Sequence, residues 1–249
     1  PFVTFNDYLS YDAQTKILII KIFLGFFYYL TAALVGIFAL KKGKVREGAL
    51  MAVMLFLVNP AIFETTIVLS YFDILMFPSL LLMCWFLGQK KYLLSGAFLA
   101  VAFLTKLLPI LLIPLFLAWF IDYEQKKRRI KIQLKPALLG LMGMIAVTSI
   151  TLWYFGWNQV HTILEVSNDH GQALSYAYNT PRILREWNND NTASELVHDV
   201  GRVFFFASSA LIILKSLKRP KTLEMFARAG TGIFLTYYLF FTGVHENHI

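Results

Sequence analysis

The chain has 249 residues, of which 57% are apolar and only 15% charged, with a mean hydropathy of +0.60. A soluble domain carries ~45–50% apolar and ~25% charged residues, so a soluble globular fold, a disordered chain and, with Cys84 as the single cysteine, a disulfide scaffold are all excluded. An integral membrane protein remains, and its net charge of +8 reads first as a marker of topology rather than of nucleic acid, because Lys and Arg collect on one side of a membrane.

A spanning helix needs roughly 17–25 apolar residues, since hydrocarbon satisfies no free backbone group. The first such run is Ile17–Leu40, followed by Lys41, Lys42, Lys44 and Arg46. Ala49–Val58 is apolar and is broken by Asn59-Pro60. After a polar patch from Glu64 to Asp73, Ile74–Gly88 is apolar and ends at Lys90-Lys91. Tyr92–Ile121 is a long apolar run interrupted by Lys106 and Pro109, and it leads into Lys126, Lys127, Arg128, Arg129, Lys131 and Lys135. Ala137–Trp157 is a clean span, and Asn158 to Gly201 is polar. Val203–Leu214 runs into Lys215, Lys218, Arg219 and Lys221, and the last span covers about Met225–Val244.

One helix across Tyr92–Ile121 would put its two flanking basic clusters on opposite sides. Two short helices turning near Lys106 keep them together, so the positive-inside rule predicts a hairpin. The expectation is an all-α, polytopic transmembrane bundle of about eight spans, with 17 of the 23 Lys and Arg residues on the cytoplasmic side. Residues 1–249 form one transmembrane domain, with 158–201 as an extracytoplasmic loop within it. No internal repeat is evident.

That topology places all five histidines (His161, His170, His198, His245 and His248) and 11 of the 15 acids on the outer side. Membrane insertion does not require this, because acids weigh little in orientation. Several spans are short and carry Pro78, Pro109 or Pro114, and such helices can end inside the membrane around a polar cavity. The expectation is a recessed polar site opening outward.

Asp73, in Ser70-Tyr71-Phe72-Asp73, reads either as a helix N-cap or as an acid that binds substrate hydroxyls or a cation, with Glu64 a weaker candidate of the same kind. Lys106, in Leu104-Thr105-Lys106-Leu107-Leu108-Pro109, reads either as a snorkelling side chain or as a point charge for a buried phosphate, and Lys21 admits the same two readings. The C-terminal string Gly243-Val244-His245-Glu246-Asn247-His248-Ile249 is not the helical zinc motif HExxH, because its two histidines are three apart. His245, Glu246 and His248 suit binding a phosphate or orienting a sugar. In the outer loop, Ser175 to Asn179 precedes Arg182, Arg185 and Trp187; an Arg pair can hold a phosphate or diphosphate, and a surface amphipathic helix accounts for the same residues.

In this order the strings resemble the GT-C superfamily of membrane glycosyltransferases, in particular bacterial mannosyltransferase-like members and dolichyl-phosphate-glucose transferases. Asn59-Pro60 to Asp73 and then Thr105-Lys106-Leu107-Leu108-Pro109 resemble the family pattern NP…(G)QxD…KxxP, with Tyr71 where the family has Gln. Ser175–Asn179 resembles the SxNAFN loop, with Tyr176 in place of Asn, and His245-Glu246-Asn247-His248-Ile249 resembles the HE-K/R/N signature. Pro1-Phe2 resembles the tail of a DYPPL/F motif, and Lys21 then matches a lysine of the next helix.

The resemblance implies transfer of a hexose from a polyprenyl- or dolichyl-phosphate carrier to a lipid-linked or other glycan acceptor. The reaction would be a single inverting displacement at an extracytoplasmic active site, in a bacterial plasma membrane or the ER. Lys106, His245, Lys21 and Arg182 would bind the donor phosphate; Asp73, Glu246, His248 and Asn179 would orient sugar or acceptor. The general-base carboxylate would lie before Pro1, which makes this chain a fragment; Asp7 and Asp12 do not match that position. No metal site is assigned, and a requirement for a divalent cation is left open. A multi-pass transporter or lipid flippase, with Asp73, Lys106 and Glu246 as an ion relay, is the competing reading. An acyltransferase using His245 has no supporting motif.

Overall fold

A computed structural model describes residues 12–41, 45–68, 72–124, 129–156 and 192–240. Helix α1 spans Ala13–Lys41 and α2 spans Arg46–Leu57. A short helix α3, Pro60–Phe63, runs straight into a π-helical turn, Glu64–Val68. A 3-10 turn, Phe72–Leu75, leads into α4, Met76–Gly88. Helix α5 covers Tyr92–Thr105, and a second 3-10 turn, Leu108–Leu112, leads into α6, Ile113–Ala118. Strands β1, Ile121–Glu124, and β2, Arg129–Ile132, form an antiparallel hairpin. Helices α7, Leu134–Phe155, α8, Thr192–Leu217, and α9, Leu223–Phe240, complete the described chain.

Among the described residues three stretches are long and apolar enough to cross a membrane: Gln14–Leu40, Leu134–Phe155 and Val200–Leu217. Asp73–Gly88, Tyr92–Thr105 and Leu108–Ala118 are apolar but shorter. The sequence predicts about eight spans; among the described residues three helices have full spanning length, and the shorter apolar ones lie beside breaks. The polar segment expected to loop out over 158–201 gives way to helix at Thr192, so α8 starts before its apolar stretch.

The chain reverses at Lys106. In one continuous helix, Tyr92 and Phe120 would be ~42 Å apart; their rings lie 5.3 Å apart, edge to face. Pro109 explains the break. It stands four residues after Thr105, so it can supply no N–H to the Thr105 carbonyl, and its ring would clash there. Helix α5 accordingly ends at Thr105, and Lys106 adopts an extended backbone.

The same reversal gathers several basic segments at one end. Phe38 of α1 packs on Trp85 of α4 at 4.9 Å. The Gln133 N–H donates to the Phe120 carbonyl at 2.9 Å, which brings the start of α7 beside Tyr92. Lys221 Nζ donates to the Ala118 carbonyl at 2.9 Å, bringing in the turn between α8 and α9. Lys90, Lys91, Lys131, Lys135, Lys218 and Lys221 thus cluster along this basic end.

The main core joins Met83, Leu99, Leu115, Phe116, Phe120, Phe205, Phe226 and Ile233 across α4 to α9. Helices α5 and α7 meet backbone to backbone: a Cβ on Gly96 would fall 1.9 Å from the Gly140 carbonyl oxygen, and one on Gly143 would fall 2.0 Å from that of Leu93. Small residues permit this approach where lipid offers no hydrophobic drive to association. Ser95 Oγ, fully buried, donates to the Met83 carbonyl at 2.9 Å and ties α5 to α4. A second cluster joins Leu24 and Tyr28 of α1 to Ile74.

Candidate functional site

The second cluster sets the site's depth. Ile74 packs against Leu24 and Tyr28, near the middle of α1. At ~1.5 Å per residue these lie roughly 16–22 Å along α1 from its start. The segment between α2 and α4 reaches that depth because it is broken twice. Asn59 Oδ1 accepts the Ile62 N–H at 3.3 Å, so Asn59 caps a new helix with Pro60 in its first position. Tyr28 Oη donates to the Leu57 carbonyl at 2.5 Å and satisfies the end of α2. The π-helical turn that follows buries Thr66, and such turns recur at functional positions.

Asp73 lies in the turn that feeds α4, and Lys106 sits just past the end of α5. These helices run antiparallel, so the N-terminal end of one meets the C-terminal end of the other. Lys106 Nζ donates to Asp73 Oδ1 in a salt bridge, with the two side chains 25% and 28% exposed. A carboxylate at a helix N-terminus and an ammonium at a C-terminus each complement the helix dipole. The pair is therefore favoured by its two helix ends as well as by its own attraction. Helix α5, at ~21 Å, is shorter than a ~30 Å hydrocarbon layer. The pair consequently lies below the level that a full span from the basic end would reach.

Lys21 precedes Leu24 by three residues and Tyr28 by seven, so all three share one stripe of α1. It stands one turn beyond the contact with Ile74, toward the start of α1, and is half-buried. Among the described residues no hydrogen bond or ion pair ties it. Glu64 is exposed on the π-helical turn. Asp12 does a different job: its carboxylate accepts the Thr15 N–H at 3.2 Å and caps α1. Hydrogen bonds from Thr15 hold its carboxyl below the ordinary value of 3.8.

The structure thus joins Asp73 to Lys106 directly and puts Lys21 on the stripe of α1 that meets this region. Asn179, Arg182, His245, Glu246 and His248 lie outside the described residues. Among the described residues no group of three or more His, Cys, Asp and Glu side chains is placed to hold a metal ion. The sequence singled out Asp73 and Lys106 separately. The signal for pairing them was opposite charge at the two far ends of one helical hairpin. Tyr28 carried no such signal, because a tyrosine within an apolar run is ordinary.

A salt-bridged pair at the join of short, Pro-broken helices, beside helices long and apolar enough to cross a membrane, is the arrangement of a membrane protein. The profile of glycosyltransferase family 87 matches residues 6–239, and the chain belongs to that family. It is a membrane glycosyltransferase, which decides between the transferase and transporter readings of the sequence. No curated protein and no solved structure matches the chain.

Proposed function

We propose that this protein transfers a hexose from a polyprenyl-phosphate carrier to a lipid-linked or other glycan acceptor, at a site on the side of the membrane away from the basic end. The observation that carries this reading is the salt bridge of Lys106 with Asp73 at the join of two short helices. The leaving group of such a donor is a phosphate at the membrane surface. A lysine presents a compact charge to it, and partial exclusion of water strengthens that charge where negative charge develops.

In the proposed reaction a carboxylate takes the proton of the acceptor hydroxyl. The acceptor oxygen bonds to the anomeric carbon as the bond to the phosphate oxygen breaks, and that electron pair leaves with the polyprenyl phosphate. One displacement inverts the configuration. Lys106 neutralises the leaving phosphate, with Lys21, Arg182 and His245 as further cations. Asp73 holds Lys106 until the donor arrives and then orients the sugar, a role shared with Glu246, His248 and Asn179. Residues 1–249 act as one transmembrane, multi-pass domain.

The test is sugar transfer by the full-length protein in proteoliposomes, with polyprenyl-phosphate hexose as donor. Lys106→Ala should lower turnover by ~10²-fold, as for loss of a charge aimed at the transition state, and the product should carry the inverted anomeric configuration. Unchanged turnover, or a retained configuration, would overturn the reading.

A further inference from the structure

The β1–β2 hairpin at the basic end exposes the apolar side chains of its second strand. Its register pairs Ile121 with Ile132, Asp122 with Lys131 and Tyr123 with Ile130. Side chains alternate across a strand, so Ile121, Tyr123, Ile130 and Ile132 form one face, while Asp122 and Lys131 belong to the other. In water the apolar face of a hairpin turns toward the protein. Here Asp122 is half-buried while the apolar side chains of β2 are exposed. Asp122 Oδ2 accepts from Gln133 Nε2 at 2.7 Å, and the charge of Asp122 acts on Lys221, whose ammonium is pushed below its ordinary range chiefly by burial. Ile130 and Ile132 instead stand 65% and 59% exposed.

No third strand extends this sheet among the described residues, and a two-stranded hairpin alone is marginal in water. Its apolar face also runs on into the chain that follows. Leu134, Leu138, Met142 and Ile145 are all exposed and follow one another at helical spacing along α7, a full-length apolar helix. Lys131, on the opposite face of β2, and Lys135, in the first turn of α7, border this surface and are exposed, and a long lysine stem lets the ammonium reach past the strand edge. An apolar face bordered by lysines and continuous with a membrane-spanning helix has the chemistry of an interfacial element.

We infer that the β1–β2 hairpin lies in the lipid interface at the basic end, with Ile130 and Ile132 sunk to the acyl boundary and Lys131 and Lys135 on the phosphates of anionic phospholipids. The hairpin binds anionic lipid specifically, and it does so beside the Tyr92–Phe120 contact that closes the helical hairpin carrying Lys106. This surface lies at the opposite end of α5 from the Lys106–Asp73 pair and does not depend on the transferase reaction proposed for that pair.

The experiment uses the full chain with Cys84→Ser and one new cysteine, Ile130→Cys or Lys131→Cys, labelled with a bimane dye. The protein is reconstituted in vesicles of phosphatidylcholine with phosphatidylglycerol, containing lipids brominated on the upper part of the acyl chain. The label at 130 should be quenched several-fold more than that at 131. Energy transfer to fluorescent phosphatidylglycerol, measured against fluorescent phosphatidylcholine, should show enrichment around the hairpin. Lys131→Gln with Lys135→Gln should reduce that enrichment by about fivefold for each charge removed, at an unchanged melting temperature, and the Arg pair at these positions should restore it. Equal quenching at 130 and 131, enrichment that survives loss of both lysines, or concentration-dependent cross-linking between copies through Ile130→Cys would overturn the proposal.

Discussion

Lys106, just past the end of one short helix, and Asp73, in the turn that leads into its antiparallel neighbour, form a salt bridge. Each charge sits where its helix dipole favours it. The pair therefore serves two purposes: it closes the top of the α4–α5 packing, and it keeps an ammonium at depth. These purposes can be separated. Asp73→Asn or Lys106→Gln alone should destabilise the protein by about 1–3 kcal/mol, below the cost of opening a fully buried pair because both groups keep partial solvent access. The charge exchange Asp73→Lys with Lys106→Asp should recover part of that stability while sugar transfer stays lost. Thermal unfolding and transfer assays on the same preparations check this. Recovery of transfer together with stability would mean that the position of the cation does not matter.

Lys21 offers the complementary case. No hydrogen bond or ion pair ties it to the described protein, yet it lies on the stripe of α1 that carries Leu24 and Tyr28 onto Ile74. A charge left in this position contributes little to the fold. Lys21→Ala should leave the melting temperature unchanged and raise the KM for a polyprenyl-phosphate donor by about tenfold, the effect of losing about 1.4 kcal/mol of phosphate binding. An unchanged KM would remove Lys21 from the site.

Much of this arrangement was legible in the sequence. The position of the basic clusters required the reversal near Lys106, and Pro109 gave it a mechanism. The charges at Asp73 and Lys106 stood out because each interrupts apolar sequence. Two features were not legible. The reach of Asp73 to the middle of α1 depends on the Asn59 cap and the π-helical turn, which are set by local backbone hydrogen bonding rather than by hydropathy. The β-hairpin was hidden inside a run of Lys and Arg that topology alone explained, because its alternation of Ile and charge spans only four residues in each strand. The lengths of the helices were not legible for a related reason: apolar runs interrupted by Pro read as continuous by composition, while the helices formed among the described residues are shorter.

Gly96 and Gly140 set the distance between α5 and α7. A methyl group on Gly96 would fall 1.9 Å from the backbone oxygen of Gly140. Neither atom belongs to a side chain that could swing away, so the helices themselves would have to separate. Overpacking typically costs 1–3 kcal/mol, and a backbone clash belongs at or above the top of that range, ~3 kcal/mol. Gly96→Ala should lower the melting temperature clearly and reduce the monodisperse fraction on size exclusion. Gly25→Ala, where a Cβ meets nothing within 4 Å, should do neither. Equal behaviour of the two variants would show that the α5–α7 approach is not what holds this core.

Asp12 makes a prediction about pH. Its carboxylate caps α1 through the Thr15 N–H, and the hydrogen bonds from Thr15 hold its pKa below 3.8. A carboxyl depressed in the folded state stabilises that state above its unfolded pKa and loses the contribution as pH falls through the lower folded value. The first turn of α1 should therefore stay protected at pH values above 3.8 and begin to fray as the pH drops below it. Amide hydrogen exchange in the first turn, after Thr15, is the measurement. Asn is as good a cap as Asp but does not titrate, so Asp12→Asn should keep the protection and abolish its dependence on pH in this window. Asp12→Ala should fray at every pH. If Asp12→Asn frays like Asp12→Ala, the stabilisation comes from the negative charge at the helix N-terminus and not from the capping hydrogen bond.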